Sequence, residues 1–190
     1  MFAHTPGRIK NDDTGDVACD SYHRWREDIQ LIKDMGLGAY RFSVAWPRIA
    51  PKGNTDWNQP GFDYYDGIVN ALLEAGIEPW VTLYHWDLPQ ALEAKGGWQN
   101  PETAHVFAAY AERMAEHFKG RVRRWITLNE PQCFIGMGCG SGEHAPGLTL
   151  TGAAYKACWR NARLAHVLAA DAIHRADQSS QVGLSSTGNV

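Results

Sequence analysis

Several features that mark common protein classes are missing from this sequence of 190 residues. It contains no stretch of about 18 consecutive apolar residues, the length that a transmembrane helix requires. Its N-terminal stretch, MFAHTPGRIK, has no apolar core of the kind found in signal peptides. There is no run of lysine or arginine, and the formal net charge is −3, which argues against a nucleic-acid-binding surface. We therefore predict a soluble, cytoplasmic protein that binds neither membranes nor nucleic acid.

Cysteine motifs are also missing. The four cysteines, Cys19, Cys133, Cys139 and Cys158, include no CxxC pair. Cys133, Cys139 and His144 are close in sequence, but their spacing fits no common zinc-binding pattern. We therefore predict free thiols, and we expect neither a bound metal nor a cofactor.

The chain does contain enough apolar residues for a core, because 44% of its residues are hydrophobic. Short stretches rich in β-branched and aromatic residues predict strands at 39–45, 78–84, 122–128 and 181–187. Helical periodicity predicts a helix between each pair, which favours a parallel sheet with helices packed outside. Each unit spans about 40 to 60 residues, a spacing at which a (β/α)8 barrel would need roughly 400 residues. Half of such a barrel fits the unit size better than a complete, open four-stranded sheet.

Several helix boundaries and one long loop can also be predicted. Asp20 or Ser21 is a candidate cap for a first helix, which precedes the first strand. Asn100 followed by Pro101 is typical of a helix start. The last helix is predicted over residues 151–176. Residues 132–150 are rich in glycine and are predicted to form a long loop, which in a compact domain is usually functional.

The third predicted strand carries the most informative residues. Residues 122–128 are apolar, Asn129 and Glu130 follow them, and Pro131 ends the hydrogen-bonding ladder. This arrangement holds a carboxylic acid at the rim of a sheet, beside a carboxamide. Taken alone, the pattern fits an exposed glutamate at a strand end better, so the other strand ends decide the interpretation.

The neighbouring strand ends carry complementary side chains. His85, Trp86 and Asp87 follow the second strand, and the first carries Arg41, Ser43 and Trp46 at its end. Sites in parallel α/β sheets form at the carboxyl ends of the strands. Imidazole and carboxamide groups bind hydroxyls, indole offers an apolar face, and a glutamic acid can donate a proton. This combination predicts a sugar-binding site.

The sequence leaves open the partner of Arg41 and the identity of a second carboxyl group. Arg41 alternates with Ser43 and should face inward, where it needs an anion or a carbonyl as partner. A carboxylate near the strand end is the expected partner, and a purely structural ion pair is the alternative. Glycosidic cleavage by the usual route needs two carboxyl groups. Glu130 can be one of them, but no motif marks Asp87 or another acid as the second.

The chain closely resembles glycoside hydrolase family 1, which includes β-glucosidases and 6-phospho-β-glucosidases. The stretches that carry the resemblance are FAHTPGRI, CDSYHRWREDIQLIKDMGLGAYRFSVAWPRI, EPWVTLYHWDLP, WITLNEP and GEHAPG. The resemblance implies a (β/α)8 barrel and hydrolysis with retention of configuration. It also implies site roles. Glu130 resembles the general acid/base, whereas His85, Trp86 and Asn129 resemble sugar contacts. Arg41 resembles the arginine near the nucleophile.

Two parts of the family pattern are missing. The family has a first barrel strand before the HTPG-like loop, and this strand supplies a glutamine to the sugar. The family also has a nucleophile in a Thr/Ser-Glu-Asn-Gly motif on strand seven. Neither occurs here. We therefore expect residues 1–190 to form a single incomplete barrel domain, about strands two to five of eight. The chain would be a truncated reading frame, a fragment or one piece of a split enzyme.

The resemblance implies a retaining β-glycosidase, in first place a β-glucosidase acting on terminal β-D-glucosyl residues of a β-glucoside or oligosaccharide. A β-glucanase of a related barrel family and a non-catalytic fragment are the alternatives. Without a nucleophile, the chain alone is expected to be inactive. Its open sheet should expose an apolar inner face and two edges, so we expect it to associate with itself or with the missing half of the barrel. At the strand ends, Glu130, Asn129, His85 and Arg41 are expected to point into one cavity.

Overall fold

The computed structural model describes residues 2–187 and contains one sheet of parallel strands. The strands are β1 (Ala39–Ser43), β2 (Glu78–Tyr84), β3 (Arg124–Asn129) and β4 (Gln181–Ser185), and they pair in the order of the chain. The four predicted strands and the parallel arrangement are confirmed. β3 begins two residues later than predicted and includes Asn129, so the candidate site starts on the last residue of the strand itself.

Helices connect the strands. The α-helices are α1 (Ser21–Asp34), α2 (Trp46–Ile49), α3 (Gln59–Glu74), α4 (Gln90–Glu93), α5 (Glu102–His117) and α6 (Gly152–Ala176). Single turns of 3-10 helix occupy Phe2–His4, Lys10–Asp12 and Gly97–Gln99, and Gln132–Ser141 is π-helical. With strands in sequential order and helices between them, the chain folds as consecutive strand–helix units of a barrel.

The hydrophobic core lies between the sheet and the helices. Val81 and Leu83 of β2 are completely buried there. Trp46 is also completely buried, and its ring stacks on that of Tyr110 with 5.3 Å between centroids. The prediction that Trp46 belongs to the candidate site is therefore wrong. It anchors α2 against α5, and burial of an aromatic side chain of this size contributes about 3 kcal/mol to stability.

Two local predictions are corrected by the structure. Half of the predicted loop 132–150 is helical, because the π-helical segment Gln132–Ser141 begins directly after Pro131. Asp20 does not cap α1 with its side chain. Its backbone is left-handed, with φ of 52°, and its carboxylate instead pairs with Nδ1 of His23 at 2.6 Å. Asn100 does act as predicted, since its Oδ1 accepts the backbone N–H of Glu102 at the start of α5 at 3.0 Å.

We call the sheet face that points away from the helices the inner face. Arg41 Nε donates to Thr82 Oγ1 at 3.0 Å across this face. Arg124 Nε donates to Glu78 Oε1 at 3.0 Å, and its guanidinium lies 5.5 Å from the ring centroid of Trp80. Paired charges and hydroxyls therefore share this face with apolar side chains such as Trp80 and Ile126. The inner face is less uniformly apolar than expected.

The helices and the cysteines were also compared with the features of membrane-spanning and disulfide-bonded proteins. Among the helices of residues 2–187, none combines the length and the hydropathy needed to cross a bilayer. All four cysteines carry free thiols, with Cys139 and Cys158 buried in the core.

Candidate active site

A β-bulge near the end of β3 directs the side chain of Asn129. The register between β3 and β4 shifts between Ile126 and Asn129. Thr127 and Leu128 both face α6, because the Thr127 hydroxyl contacts His166 and Leu128 lines a groove together with Trp159. Strict alternation would also turn Asn129 toward the helices. The extra residue reverses this direction and turns Asn129 to the inner face, an effect typical of bulges beside functional sites.

Asn129 is buried and connects the end of β3 to β1 and to the end of β2. Its Oδ1 accepts a hydrogen bond from Nη2 of Arg41, and its Nδ2 lies 3.2 Å from Nε2 of His85. Its backbone carbonyl accepts the indole N–H of Trp86 at 2.9 Å. Four of the five predicted site residues are thus joined by direct hydrogen bonds.

His85 follows the last residue of β2 and is held from a second side. Its Nδ1 lies 2.8 Å from Oγ of Ser43, which ends β1. Partial burial lowers the pKa of His85, and the positive charge of Arg41 lowers it further, while the negative charge of Glu130 acts in the opposite sense. The imidazole is therefore mainly neutral at pH 7, since the ordinary pKa of histidine is about 6.5.

Trp86 adopts a left-handed backbone conformation with φ of 82°, which a residue other than glycine rarely does. The indole is fixed by the hydrogen bond to the Asn129 carbonyl. Its ring centroid lies 5.3 Å from that of His85 and 5.4 Å from that of His144. The strained turn therefore places an aromatic face next to the polar cluster.

Glu130 is likewise left-handed, with φ of 47°. Its backbone N–H donates to the Ser185 carbonyl at 2.8 Å, which ties the turn after β3 to the end of β4. Its carboxylate is half-buried, and Oε2 accepts a weak hydrogen bond from the Cys133 thiol at 3.7 Å. A carboxyl group mounted in this way, near the neutral imidazole of His85, can give a proton to a ligand and take one back.

The structure also shows what sequence reasoning missed. The expected carboxylate partner of Arg41 is replaced by Thr82 and Asn129, which are both uncharged. Period-two alternation with Trp80 would have placed Thr82 on the inner face, whereas no sequence signal marks the contacts of Cys133 and His144. A cavity shared by Arg41, His85, Asn129 and Glu130 stays a prediction.

Asp87 lies behind the cluster. It lines a cavity of about 490 Å³ together with Trp86, Glu93 and the N-terminal loop. Burial raises its pKa to about 7, against opposing effects from the backbone N–H groups of Asp87 and His85 and from Arg48. A buried carboxyl group that is only about half ionised at pH 7 is a poor nucleophile. Within residues 2–187, no three His, Cys, Asp or Glu side chains are grouped closely enough to hold a metal ion.

Comparison with known proteins agrees with this architecture. The model of glycosyl hydrolase family 1 matches residues 1–190. β-Glucosidase A of Thermotoga maritima is 49% identical over 183 residues, which are 96% of this chain and 41% of that protein. The 1,4-β-D-glucan glucohydrolase of Thermotoga neapolitana is 54% identical over 147 residues, which are 77% of this chain and 35% of that protein.

Solved structures show the same similarity. The family 1 β-glucosidase from Thermotoga maritima superimposes with a TM-score of 0.94 at 48% identity, over 96% of this chain and 42% of that structure. The same enzyme in complex with azafagomine gives equal values. The chain thus spans about two fifths of the length of these relatives. Its fold is part of a (β/α)8 barrel, as predicted, and the chain belongs to glycosyl hydrolase family 1.

Proposed function

We propose that this chain is part of a retaining β-glycosidase, in first place a β-glucosidase that removes terminal β-D-glucosyl residues. The observation that carries the proposal is the position of Glu130. Its carboxyl group follows β3 directly, beside an amide, an imidazole and an indole that hydrogen bonds hold together. These groups suit a sugar and its glycosidic oxygen.

In this proposal Glu130 is the general acid/base. It protonates the leaving oxygen and later activates the water that completes hydrolysis. His85, Trp86 and Asn129 hold the sugar next to the scissile bond, through hydrogen bonds to its hydroxyls and contact with its apolar face. Arg41 lies beside the position of the nucleophile, where its guanidinium would stabilise a carboxylate.

The nucleophile is proposed to come from outside these 190 residues. The sequence has no Thr/Ser-Glu-Asn-Gly motif, and the double displacement needs a second carboxyl group about 5–5.5 Å from the first. We propose that residues 1–190 form one incomplete domain and that the remaining strands of the barrel complete the site. One continuous hydrophobic core supports the single domain. The free thiols support a cytoplasmic location.

One relative favours a second substrate class. The protein from Thermotoga neapolitana is a 1,4-β-D-glucan glucohydrolase, so short β-1,4-glucans are an alternative to small β-glucosides. A non-catalytic fragment is the alternative that remains for the chain when it is isolated.

A chimera tests the proposal. The chain replaces the matching segment of the Thermotoga maritima β-glucosidase, which is 49% identical. The chimera should hydrolyse nitrophenyl β-glucoside, whereas the purified 190-residue chain should not. In the chimera, Glu130→Gln should lower kcat/KM by about 10²–10⁴-fold for substrates with poor leaving groups and much less for activated nitrophenyl substrates. The parameter kcat/KM reports the first step, in which only poor leaving groups depend on protonation.

A folded chimera without hydrolase activity would contradict the proposed function. Turnover by the chain alone that disappears in Glu130→Gln would contradict the missing nucleophile. Gln132→Glu is a suitable control, because it alters a neighbouring half-buried side chain whose described contacts are with Ser186 and Thr187.

A further inference from the structure

A chain of hydrogen bonds crosses the ends of three strands and runs from Arg41 through Asn129 and His85 to Ser43. Its contacts are Arg41 Nη2 to Asn129 Oδ1, Asn129 Nδ2 to His85 Nε2 at 3.2 Å, and His85 Nδ1 to Ser43 Oγ at 2.8 Å. We call these four residues the strand-end chain. Its chemistry fixes the direction of every bond in it.

The direction is set at Arg41. A guanidinium group only donates hydrogen bonds, so the Asn129 atom that faces it must be the carbonyl oxygen. A second donation, from Nε to the hydroxyl of Thr82 at 3.0 Å, anchors the guanidinium. The amide nitrogen of Asn129 is therefore the atom that faces His85.

The same reasoning assigns the proton on the imidazole. An amide nitrogen only donates, so Nε2 of His85 must offer its lone pair. In a neutral ring the hydrogen then sits on Nδ1 and is donated to Ser43 Oγ. A doubly protonated ring would place two donors against each other at Nε2. Partial burial and the charge of Arg41, which both lower the pKa of His85, agree with a neutral ring, although Glu130 opposes them.

We propose that Ser43 is a positioning residue for His85, an inference that rests on the function proposed above. Ser43 holds the Nδ1 hydrogen, so that the ring presents an unprotonated Nε2 toward the substrate. A sugar hydroxyl that replaces the direct hydrogen bond between Asn129 and His85 can then donate to Nε2 and accept from Nδ2. An anionic phosphate oxygen has no hydrogen to donate, so this position selects a hydroxyl.

Imidazole NMR on the ¹⁵N-labelled 190-residue chain tests the assignment without any assay of activity. In the unsubstituted chain, His85 should carry its hydrogen on Nδ1. Ser43→Ala removes the acceptor and should shift the ratio of the two neutral ring forms by about threefold to tenfold, the effect of one hydrogen bond. Ser43→Thr keeps a hydroxyl and should restore the original ratio.

Arg41→Met probes the start of the strand-end chain. Arg41 makes no direct hydrogen bond to His85, but its guanidinium fixes the orientation of the Asn129 amide. The substitution allows this amide to rotate by 180°, so that its oxygen faces Nε2 of His85 and Nε2 can carry the hydrogen. Thr127→Val is the matched control, because the Thr127 hydroxyl lies 2.7 Å from Nδ1 of His166 on the other face of the sheet. It should change the signals of His166 and leave those of His85 unaltered.

His85 carrying its hydrogen on Nε2 in the unsubstituted chain would overturn the proposal. The proposal would also be overturned if both Ser43→Ala and Arg41→Met left the position of the hydrogen on the His85 ring unchanged. Should Ser43→Ala fail to fold, the unsubstituted chain and Ser43→Thr still decide, because both must show the hydrogen on Nδ1.

In the chimera, Ser43→Ala should raise KM for the glucoside by about threefold to tenfold, and Ser43→Thr should reverse this. An unchanged KM would contradict the role in substrate binding. A chimera that is inactive before any substitution would refute the proposed function instead, while the position of the hydrogen on His85 would still be read from the chain itself.

Discussion

At the scale of single residues, the ends of β2 and β3 combine strained backbone with buried polar groups. Trp86 and Glu130 have positive φ, which costs about 1–3 kcal/mol for each residue that is not glycine. The indole of Trp86 and the backbone N–H of Glu130 each make a hydrogen bond that holds the strained turn. These turns direct the two side chains away from the line of their strands.

Asp87 is the most strongly perturbed carboxyl group near that site. Its pKa rises from the ordinary value of 3.8 to about 7 because it is buried, and its Oδ1 has no hydrogen-bond partner. The folded state therefore favours the protonated acid. A raised carboxyl pKa stabilises the fold fully below pH 3.8, and this contribution is lost as the pH rises through 7.

Asp87→Asn should remove this dependence on pH, because an amide stays neutral. Relative to the unsubstituted chain, the free energy of unfolding of the variant should rise by up to about 4 kcal/mol between about pH 4 and pH 7. Urea unfolding across this range measures the difference. Asp13→Asn, in the exposed N-terminal loop, should show no such trend. If the free energy of unfolding changes with pH in the same way for Asp87→Asn and the unsubstituted chain, the raised pKa of Asp87 is refuted.

At the scale of elements, Gly61 permits a close contact between α2 and α3. A Cβ atom at this position would lie against the carbonyl oxygen of Arg48, far inside van der Waals distance. The same carbonyl accepts a hydrogen bond from Asn58 Nδ2 at 2.9 Å. The short helix α2 can therefore pack on the first turn of α3 only while position 61 has no side chain.

Gly61→Ala should destabilise the chain by about 1–3 kcal/mol, because the clash with rigid backbone outweighs the gain of about 1 kcal/mol in helix propensity. Gly136→Ala is the matched control, since Gly136 lies in the π-helical segment, where an added Cβ atom would meet no neighbouring atom within 4 Å. It should be neutral or slightly stabilising. Urea unfolding followed by circular dichroism measures both, and equal effects would contradict the packing argument.

How much of these elements could be predicted depends on the range of the interactions. Strand positions follow from local apolar pattern and turn residues, so all four lie within two residues of their predicted starts. The bulge in β3 depends on pairing with β4, more than 50 residues away in sequence, and strict alternation would have turned Asn129 to the wrong face. The π-helical segment after Pro131 is rich in glycine, so its composition predicts a loop. The direction of the strand-end chain needs interatomic contacts.

At the scale of the whole molecule, the sheet has two open sides among the described residues. β1 and β4 are its edge strands. Beside β4 lies a groove of about 390 Å³ between the sheet and α6, lined mainly by apolar side chains that include Leu184, Trp159 and Val167. Leu184 and Val167 are 46% and 54% exposed. In a closed barrel, the helix that follows β4 packs beside α6, so this groove is where further strand–helix units would attach.

The isolated chain should therefore associate with itself at micromolar concentration, because unpaired edges and an apolar groove both favour contact with a second copy. Sedimentation velocity over a concentration series measures this association.

Leu184→Lys should weaken association at least tenfold, since burial of one leucine contributes about 1.5–3 kcal/mol. Leu31→Lys is the matched control, because Leu31 is 61% exposed on α1, away from the groove. It should leave association unchanged. A monomer at every concentration, or equal effects of the two variants, would contradict the groove as the site of contact. In the chimera the same groove is covered by the rest of the barrel, so Leu184→Lys should there lower the stability of a monomer instead of dissociating an oligomer.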